Sequence, residues 1–228
     1  MGRYSPLPLK MGESLSWIPQ TPTRSSQWTN HLKRNINCSH NGPVWELSWA
    51  HPRFGTVIAT GGYDHFINIW SQELNEFKLA YGKDLGSQVN TISFGPHKHG
   101  FIIAAGLDNG TIAIITKQDK SYKLICKEKA HNGAINSLSW APEYSPMQMD
   151  SDSIENEKIR LKLVSGGSDC RAIIWEFVPS SQELIQESEL KTENPRGMIR
   201  SVCWSHNIAM PYEMIAVGSE VRDVNRQN

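Results

Sequence analysis

One short pattern recurs four times along the chain and limits what it can fold into. VWELSWAHP from Val44, VNTISFGP from Val89, INSLSWAP from Ile135 and IRSVCWSH from Ile199 are strand-length runs of one design. Trp49, Phe94, Trp140 and Trp204 hold the same position in each run, at intervals of 45, 46 and 64 residues. Self-similarity at a period of this length marks a fold assembled from copies of one supersecondary unit, and it outranks any isolated motif.

The rest of each unit repeats as well. A second run reads VIATGGYD, IIAAGLDN, LVSGGSDC and MIAVGSEV, and a third reads FINIW, TIAII and RAIIW. Alternating apolar residues bounded by Pro, Gly and Asp predict consecutive antiparallel strands. The polar stretches 71–86 and 117–129 are long enough for a fourth, outer strand and its turns. Four short strands in a unit of about 40–45 residues predict the blade of a WD-repeat β-propeller. The expected fold class is therefore all-β, with three complete four-stranded blades and the start of a fourth. The units fall at 40–86, 87–130, 131–190 and 198–219, inside a domain spanning 34–228 whose tail, 220–228, diverges.

The one long interval has a simple origin. The third unit inserts EYSPMQMDSDSIENEKIR at 143–160, mixed in charge and without apolar alternation, which reads as a solvated surface loop. A phosphorylated Ser145-Pro146 or an acidic docking site there is the less economical reading, because surface insertions are readily tolerated. Residues 1–33 carry Pro6, Pro8, Pro19 and Pro22 among scattered polar residues and sustain no period, so they are expected to be a disordered leader. Arg34 to Ser39 reads as a short strand leading into His40.

Composition excludes several function classes. Lys+Arg and Asp+Glu number 23 each, so the chain lacks the basic surplus that a phosphate backbone demands, and nucleic acid is not an expected partner. Cys38, Cys126, Cys170 and Cys203 form no Cys-x-x-Cys pair, which predicts free thiols in a reducing compartment rather than a disulfide framework or a zinc site. The longest apolar run, Phe101 to Ala105, is far short of a membrane span, and the N-terminus has no signal-peptide core. No cofactor motif is present in the sequence. The Gly-Gly pairs at 61–62 and 166–167 open no predicted helix and so are not phosphate loops, and His97-Lys98-His99 lacks a third metal ligand.

The motifs carry a closer resemblance. GPVWELSWAHPRFGTVIATGGYDHFINIW, VNTISFGPHKHGFIIAAGLDNGTIAIIT, and SLSWAPEY with SGGSDCRAIIW resemble, in order, the second, third and fourth blades of the small WD-repeat subunits of the outer COPII coat. IRSVCWSHNIAMPYEMIAVGS resembles the start of the fifth, so the match covers 40 to about 219. His51-Pro52 after the first-strand Trp, and the Trp-less third strand of the second unit, are its specific marks. The resemblance implies a non-catalytic scaffold of the vesicle coat for transport from the endoplasmic reticulum to the Golgi. It would be peripheral to the membrane at ER exit sites on the cytosolic face. That family also serves in the nuclear pore complex, with its links to mRNA transport, and in an assembly regulating amino-acid signalling. The implied partners are a large helical COPII coat subunit and a Y-complex nucleoporin, held against the family's first and last blades. Neither blade is recognisable in this chain. The expectation is thus a partial propeller of about half a ring, originating as a fragment, an alternative transcript or an incomplete gene model. Its two unmatched inter-blade faces would favour aggregation or partner capture. The alternatives are a nuclear-pore or amino-acid-signalling WD paralogue, a generic WD-repeat adaptor and, remotely, a hydrolase.

WD blades commonly carry a hydrogen-bonded tetrad, and the resemblance assigns it to His40, Thr60, Asp64 and Trp70 in the first unit and to His131, Ser165, Asp169 and Trp175 in the third. The offsets agree, four residues from hydroxyl to Asp and six from Asp to Trp in both. The residue types suit such a chain, since a buried indole N–H only donates, a hydroxyl accepts and passes a proton on, and imidazole links it to a carboxylate. The second unit departs, with Ala105, Asn109 and Ile115, and is expected to rely on apolar packing. Ser165, His131 and Asp169 are also the constituents of a hydrolase triad. A nucleophile needs exposure and oxyanion donors, however, and the equivalents Thr60 and Ala105 vary as scaffold positions do.

Overall fold

The computed structural model describes residues 40–74, 76–119, 121–142, 161–190, 197–206 and 213–220. The expected leader 1–33, the strand at Arg34–Ser39, the insertion 143–160 and the tail beyond Glu220 lie outside them.

Among the described residues four antiparallel sheets follow one another. The first contains β1 (Val44–Trp49), β2 (Val57–Gly62), β3 (Phe66–Glu73) and β4 (Glu76–Asp84), and the second β5 (Val89–Phe94), β6 (Phe101–Leu107), β7 (Ile112–Gln118) and β8 (Ser121–Lys127). The third contains β9 (Ile135–Trp140), β10 (Leu161–Gly167), β11 (Ala172–Val178) and β12 (Glu183–Leu190); the fourth has β13 (Ile199–Trp204) and β14 (Ile215–Ser219) among the described residues. Strand order within each sheet is sequential, as in the blades of a WD β-propeller. β4 and β8 occupy the polar stretches between units. β3 runs three residues past Trp70 because its hairpin partner β4 stays paired with it as far as Glu73↔Glu76.

Turn chemistry decides where β2 gives way to β3. Asp64, Asn109 and Asp169 each accept a hydrogen bond from the backbone N–H two residues on, at Phe66 (3.2 Å), Thr111 (3.1 Å) and Arg171 (3.2 Å). The residue between, His65, Gly110 or Cys170, takes a φ of 72°, 81° or 67°. Short polar side chains that close on their own backbone favour this conformation, so three sheets share one turn despite three different residues in it.

Each inner strand carries the same register shift, between Val44 and Glu46, Val89 and Thr91, and Ile199 and Ser201, with its counterpart in the third sheet opposite Gly166 and Gly167. The bulged residues are Trp45, Asn90, Asn136 and Arg200. A bulge re-aims its side chain, and here two of the four are turned on the next sheet: Asn90 Nδ2 donates to Ile135 O (3.2 Å) and Asn136 Nδ2 donates to Ile199 O (2.7 Å).

The cores lie between sheets rather than within them. Val57, Ala59 and Ile69 of the first sheet pack with Val89, Ile92 and Ile103 of the second. Ile102, Ile112 and Ile114 meet Ile135, Trp140 and Trp175 of the third, and Val164 and Ala172 meet Ile199, Val202 and Trp204 of the fourth. Sheets stacked this way approach closely only where one side gives up its Cβ. A Cβ on Gly61 would stand 2.6 Å from Val89 Cγ1, one on Gly106 would stand 2.6 Å from Ile135 Cγ2, and one on Gly166 would stand 2.4 Å from Ile199 Cγ2. The first glycine of each Gly-Gly pair thus seats the following sheet. The second clears its own loop, since a Cβ on Gly62 would meet Pro43 O at 2.1 Å and one on Gly167 would meet His131 Nδ1 at 2.6 Å.

Trp49, Phe94, Trp140 and Trp204 share one register, opposite Ile58, Ile103, Leu163 and Ile215 respectively. Their environments differ with what precedes them. Trp204 is 1% exposed and Trp140 6%, the latter's indole donating to Ser93 O across the junction at 3.1 Å, whereas Trp49 is 56% exposed.

Candidate functional site

The two His-centred constellations are built alike. β2 brings Thr60 and β3 brings Trp70 to the loop residue His40, and the turn adds Asp64. His40 Nδ1 lies 2.9 Å from Asp64 Oδ2 and Nε2 lies 2.8 Å from Thr60 Oγ1, while Trp70 Nε1 donates to the same oxygen at 3.1 Å. In the third sheet His131 Nδ1 lies 2.8 Å from Asp169 Oδ1 and Nε2 lies 2.7 Å from Ser165 Oγ, and Trp175 Nε1 donates to Ser165 Oγ at 2.7 Å. An ionised carboxylate only accepts, so it selects the tautomer in which Nδ1 carries the proton. Nε2 is then left to accept the hydroxyl proton. The backbone joins in, with Asn41 N–H donating to Asp64 (2.8 Å) and Asn132 N–H to Asp169 (3.0 Å).

Burial is the largest single influence on Asp64 and opposes its ionisation. The hydrogen bond from His40, those from the Asn41 and Phe66 N–H groups, and the electrostatic pull of the His40 ring together outweigh it and hold the carboxyl below its ordinary value.

The two constellations differ by one residue that sequence offsets alone do not single out. Asn68, buried on β3, directs its side-chain amide to His40 Nε2 at 3.1 Å, where the third sheet has the apolar Ile173. Gly82 on β4 leaves it room, since a Cβ there would stand 2.8 Å from Asn68 Oδ1. In the second sheet three of the four counterparts are apolar: Ala105 and Ile115 are fully buried and Leu85 is half-buried against the same core, while Asn109 accepts from its own turn. The indole has a further companion, for β4 and β12 shift register beside Trp70 and Trp175, while β8 runs unshifted past Ile115.

Ser165, His131 and Asp169 have the spacings of a nucleophile, base and orienter. Yet Ser165 is 0% exposed, and its oxygen already receives the indole N–H. Among the described residues no three His, Cys, Asp or Glu side chains converge on a point where a metal ion would sit. His97 lies instead on His51, their rings parallel with centroids 3.6 Å apart, and Arg53 Nη1 donates to His97 O at 3.4 Å. These residues knit the outer loops of the first two sheets.

Residues 31–71 match the family model "WD domain, G-beta repeat". The chain is 29% identical to the Protein SEC13 homolog of Drosophila melanogaster, over 81% of this chain and 52% of that protein. It is 31% identical to the Protein transport protein SEC13 of Coccidioides immitis, and 31% identical to Protein transport protein sec13 of Emericella nidulans, in each case over 74% of this chain and 57% of the relative. The four successive antiparallel sheets are those of a partial WD-repeat β-propeller. It spans a little over half the length of these relatives.

Trp45 and Tyr63 stand together at one rim of the first sheet, exposed and edge to face with centroids 5.9 Å apart. Leu47 and Trp49 continue that apolar face along β1, Trp49 resting edge-on against Phe77. The residues that sequence reasoning passed over are Asn68, Leu85, Asn90 and Asn136. Only the last two left a signal, an Asn directly after the opening Val or Ile of two repeats. No helix among the described residues is long and apolar enough to cross a membrane.

Proposed function

We propose that this chain is a non-catalytic scaffold of the vesicle-coat type, acting in protein transport out of the endoplasmic reticulum. The observation that carries the non-catalytic reading is the burial and saturation of the Ser165 hydroxyl, because a nucleophile must reach substrate and a developing oxyanion must find donors. The coat reading is supported by the names of relatives that match three quarters of the chain, "Protein transport protein" among them. On this reading the tetrads His40–Thr60–Asp64–Trp70 and His131–Ser165–Asp169–Trp175 serve as blade locks, and the units 40–86, 87–130, 131–190 and 198–219 are repeats of one domain, 34–228. The site of action is the cytosolic face of ER exit sites and coat vesicles, and the direct partner is a large helical coat subunit. A nuclear-pore role through a Y-complex nucleoporin belongs to the same reading. Co-purification of the 228-residue chain with the large coat subunit tests it. Retention supports the assignment, and a chain that folds yet is not retained is not a coat scaffold.

A second reading, a WD-repeat adaptor outside coats, is favoured by one observation. Trp45 and Tyr63 form an exposed aromatic pair at a sheet rim, the kind of surface that peptide readers use. Peptide-array binding abolished by Tyr63→Ala, with the melting temperature unchanged, would favour it over the coat reading.

A further inference from the structure

The chain holds three Asn-Gly pairs, Asn41-Gly42, Asn109-Gly110 and Asn132-Gly133. In this dipeptide a backbone nitrogen readily attacks the preceding side-chain amide, because glycine has no Cβ to hinder the approach. All three asparagines are exposed, so access to water does not distinguish them. Hydrogen bonding separates them. In the second sheet both reacting groups are engaged: Gly110 N–H donates to Leu107 O at 3.2 Å, and Asn109 Oδ1 accepts from Thr111 N–H at 3.1 Å. Gly110 is held through its carbonyl as well, which accepts from His131 N–H at 3.0 Å, and a Cβ on it would stand 2.1 Å from His131 O. At Asn132-Gly133 only the asparagine backbone is tied, its N–H donating to Asp169 Oδ2 at 3.0 Å. Among the described residues the Asn132 side-chain amide and the Gly133 N–H have no hydrogen-bond partner. Asn41-Gly42 is arranged in the same way around Asp64 but adjoins residues outside those described, which leaves Asn132 as the clear case.

We propose that Asn132 is a site of spontaneous deamidation in the folded protein, and that Asn109 is protected by its turn. Gly133 N gives up its proton and bonds to Asn132 Cγ, the side-chain nitrogen leaves as ammonia with that proton, and a succinimide closes. Water then opens the ring. Attack at Cγ restores the peptide bond and yields aspartate, whereas attack at the main-chain carbonyl carbon yields isoaspartate, with an extra methylene in the backbone. Either product puts a carboxylate on the residue whose N–H serves Asp169. A like charge there opposes the ionised Asp169 that fixes the His131 tautomer. Isoaspartate also moves Gly133 off its seat, which is so close that a Cβ would stand 3.2 Å from Asp169 N. The lock of the third sheet thus carries its own ageing site. The site stands independently of the coat reading, since it needs no partner.

Incubation of the full 228-residue chain at mildly alkaline pH, followed by peptide mass mapping and isoaspartate-specific methylation, tests this. In the folded chain the amide-to-acid mass gain is expected at Asn132 several-fold ahead of Asn109, with methylatable isoaspartate in the peptide that contains position 132. In urea, where the turn of the second sheet is lost, the two sites are expected to convert at similar rates, because both are then unclamped Asn-Gly pairs. Asn132→Asp, which carries one product's charge from the start, is expected to melt below wild type at neutral pH, with the gap narrowing in high salt. Asn132→Ser, which adds no charge, is the control and is expected to show no such salt dependence. Three results would overturn the proposal: an Asn132 that keeps its amide while the urea-treated chain converts, conversion at Asn109 as fast as at Asn132 in the folded chain, or an Asn132→Asp variant that melts with wild type.

Discussion

At the scale of the residue, position 165 and its counterpart 105 show how one register can hold opposite chemistries. Ser165 is surrounded by an imidazole and an indole N–H, whereas Ala105 is surrounded by the side chains of an apolar sheet. Ser165→Ala strands a buried indole donor and is expected to destabilise by about 1–3 kcal/mol, the cost of an unsatisfied buried group. Ala105→Ser is expected to destabilise by a similar ~1–3 kcal/mol for the inverse reason, a hydroxyl carried into a site with no partner. Urea unfolding of the two variants measures both. Asp64 adds a pH dependence of known sign. Its folded pKa lies below the unfolded value of about 3.9, so its ionised form stabilises the fold above that pH, and the contribution is lost as pH falls through the folded value. Comparing wild type with Asp64→Asn, the stability difference is expected to be full at pH 6 and to shrink steadily below about pH 4.

At the scale of the element, the sheets owe their stacking to what their second strands lack. Gly106→Ala places a Cβ 2.6 Å from Ile135 Cγ2 and 2.8 Å from Thr91 Cγ2, in a junction with no empty side. Overpacking of this kind is expected to cost about 1–3 kcal/mol in urea unfolding. The bulged inner strands make the complementary contribution, since Asn90 and Asn136 reach the next sheet only because the bulge turns them out of the ladder. Trp45 occupies the same bulge in the first sheet, and there the re-aimed side chain is an exposed indole beside Tyr63.

At the scale of the whole molecule, cores that lie between sheets make stability a property of neighbours. Among the described residues, the second and third sheets each contact a sheet on both sides, while β13 and β14 meet only the third. Nearest-neighbour stabilisation of this sort predicts a gradient rather than one melting unit. Native-state hydrogen exchange is expected to release the amides of β14 first and those of β6, β7 and β10 last. Uniform protection across all four sheets would contradict it.

By itself the sequence determined the fold class and the order of strands, because a two-residue alternation punctuated by Asp, Asn and Gly admits few other structures. The offsets of four and six residues, alike in the two units, agree with the tetrad that the resemblance assigns to them. Tertiary structure alone decided what each of those positions experiences. Trp49 and Trp204 are equivalent in the repeat, yet one faces outward and the other is enclosed, because burial depends on the sheet that precedes them. In the sequence the Gly-Gly pairs are only part of the second repeated run, and stacking alone showed that one glycine of each pair admits the following sheet while the other clears its own loop. Asn68 carried no periodic signal at all, since its partner His40 lies 28 residues away and meets it only across the folded blade.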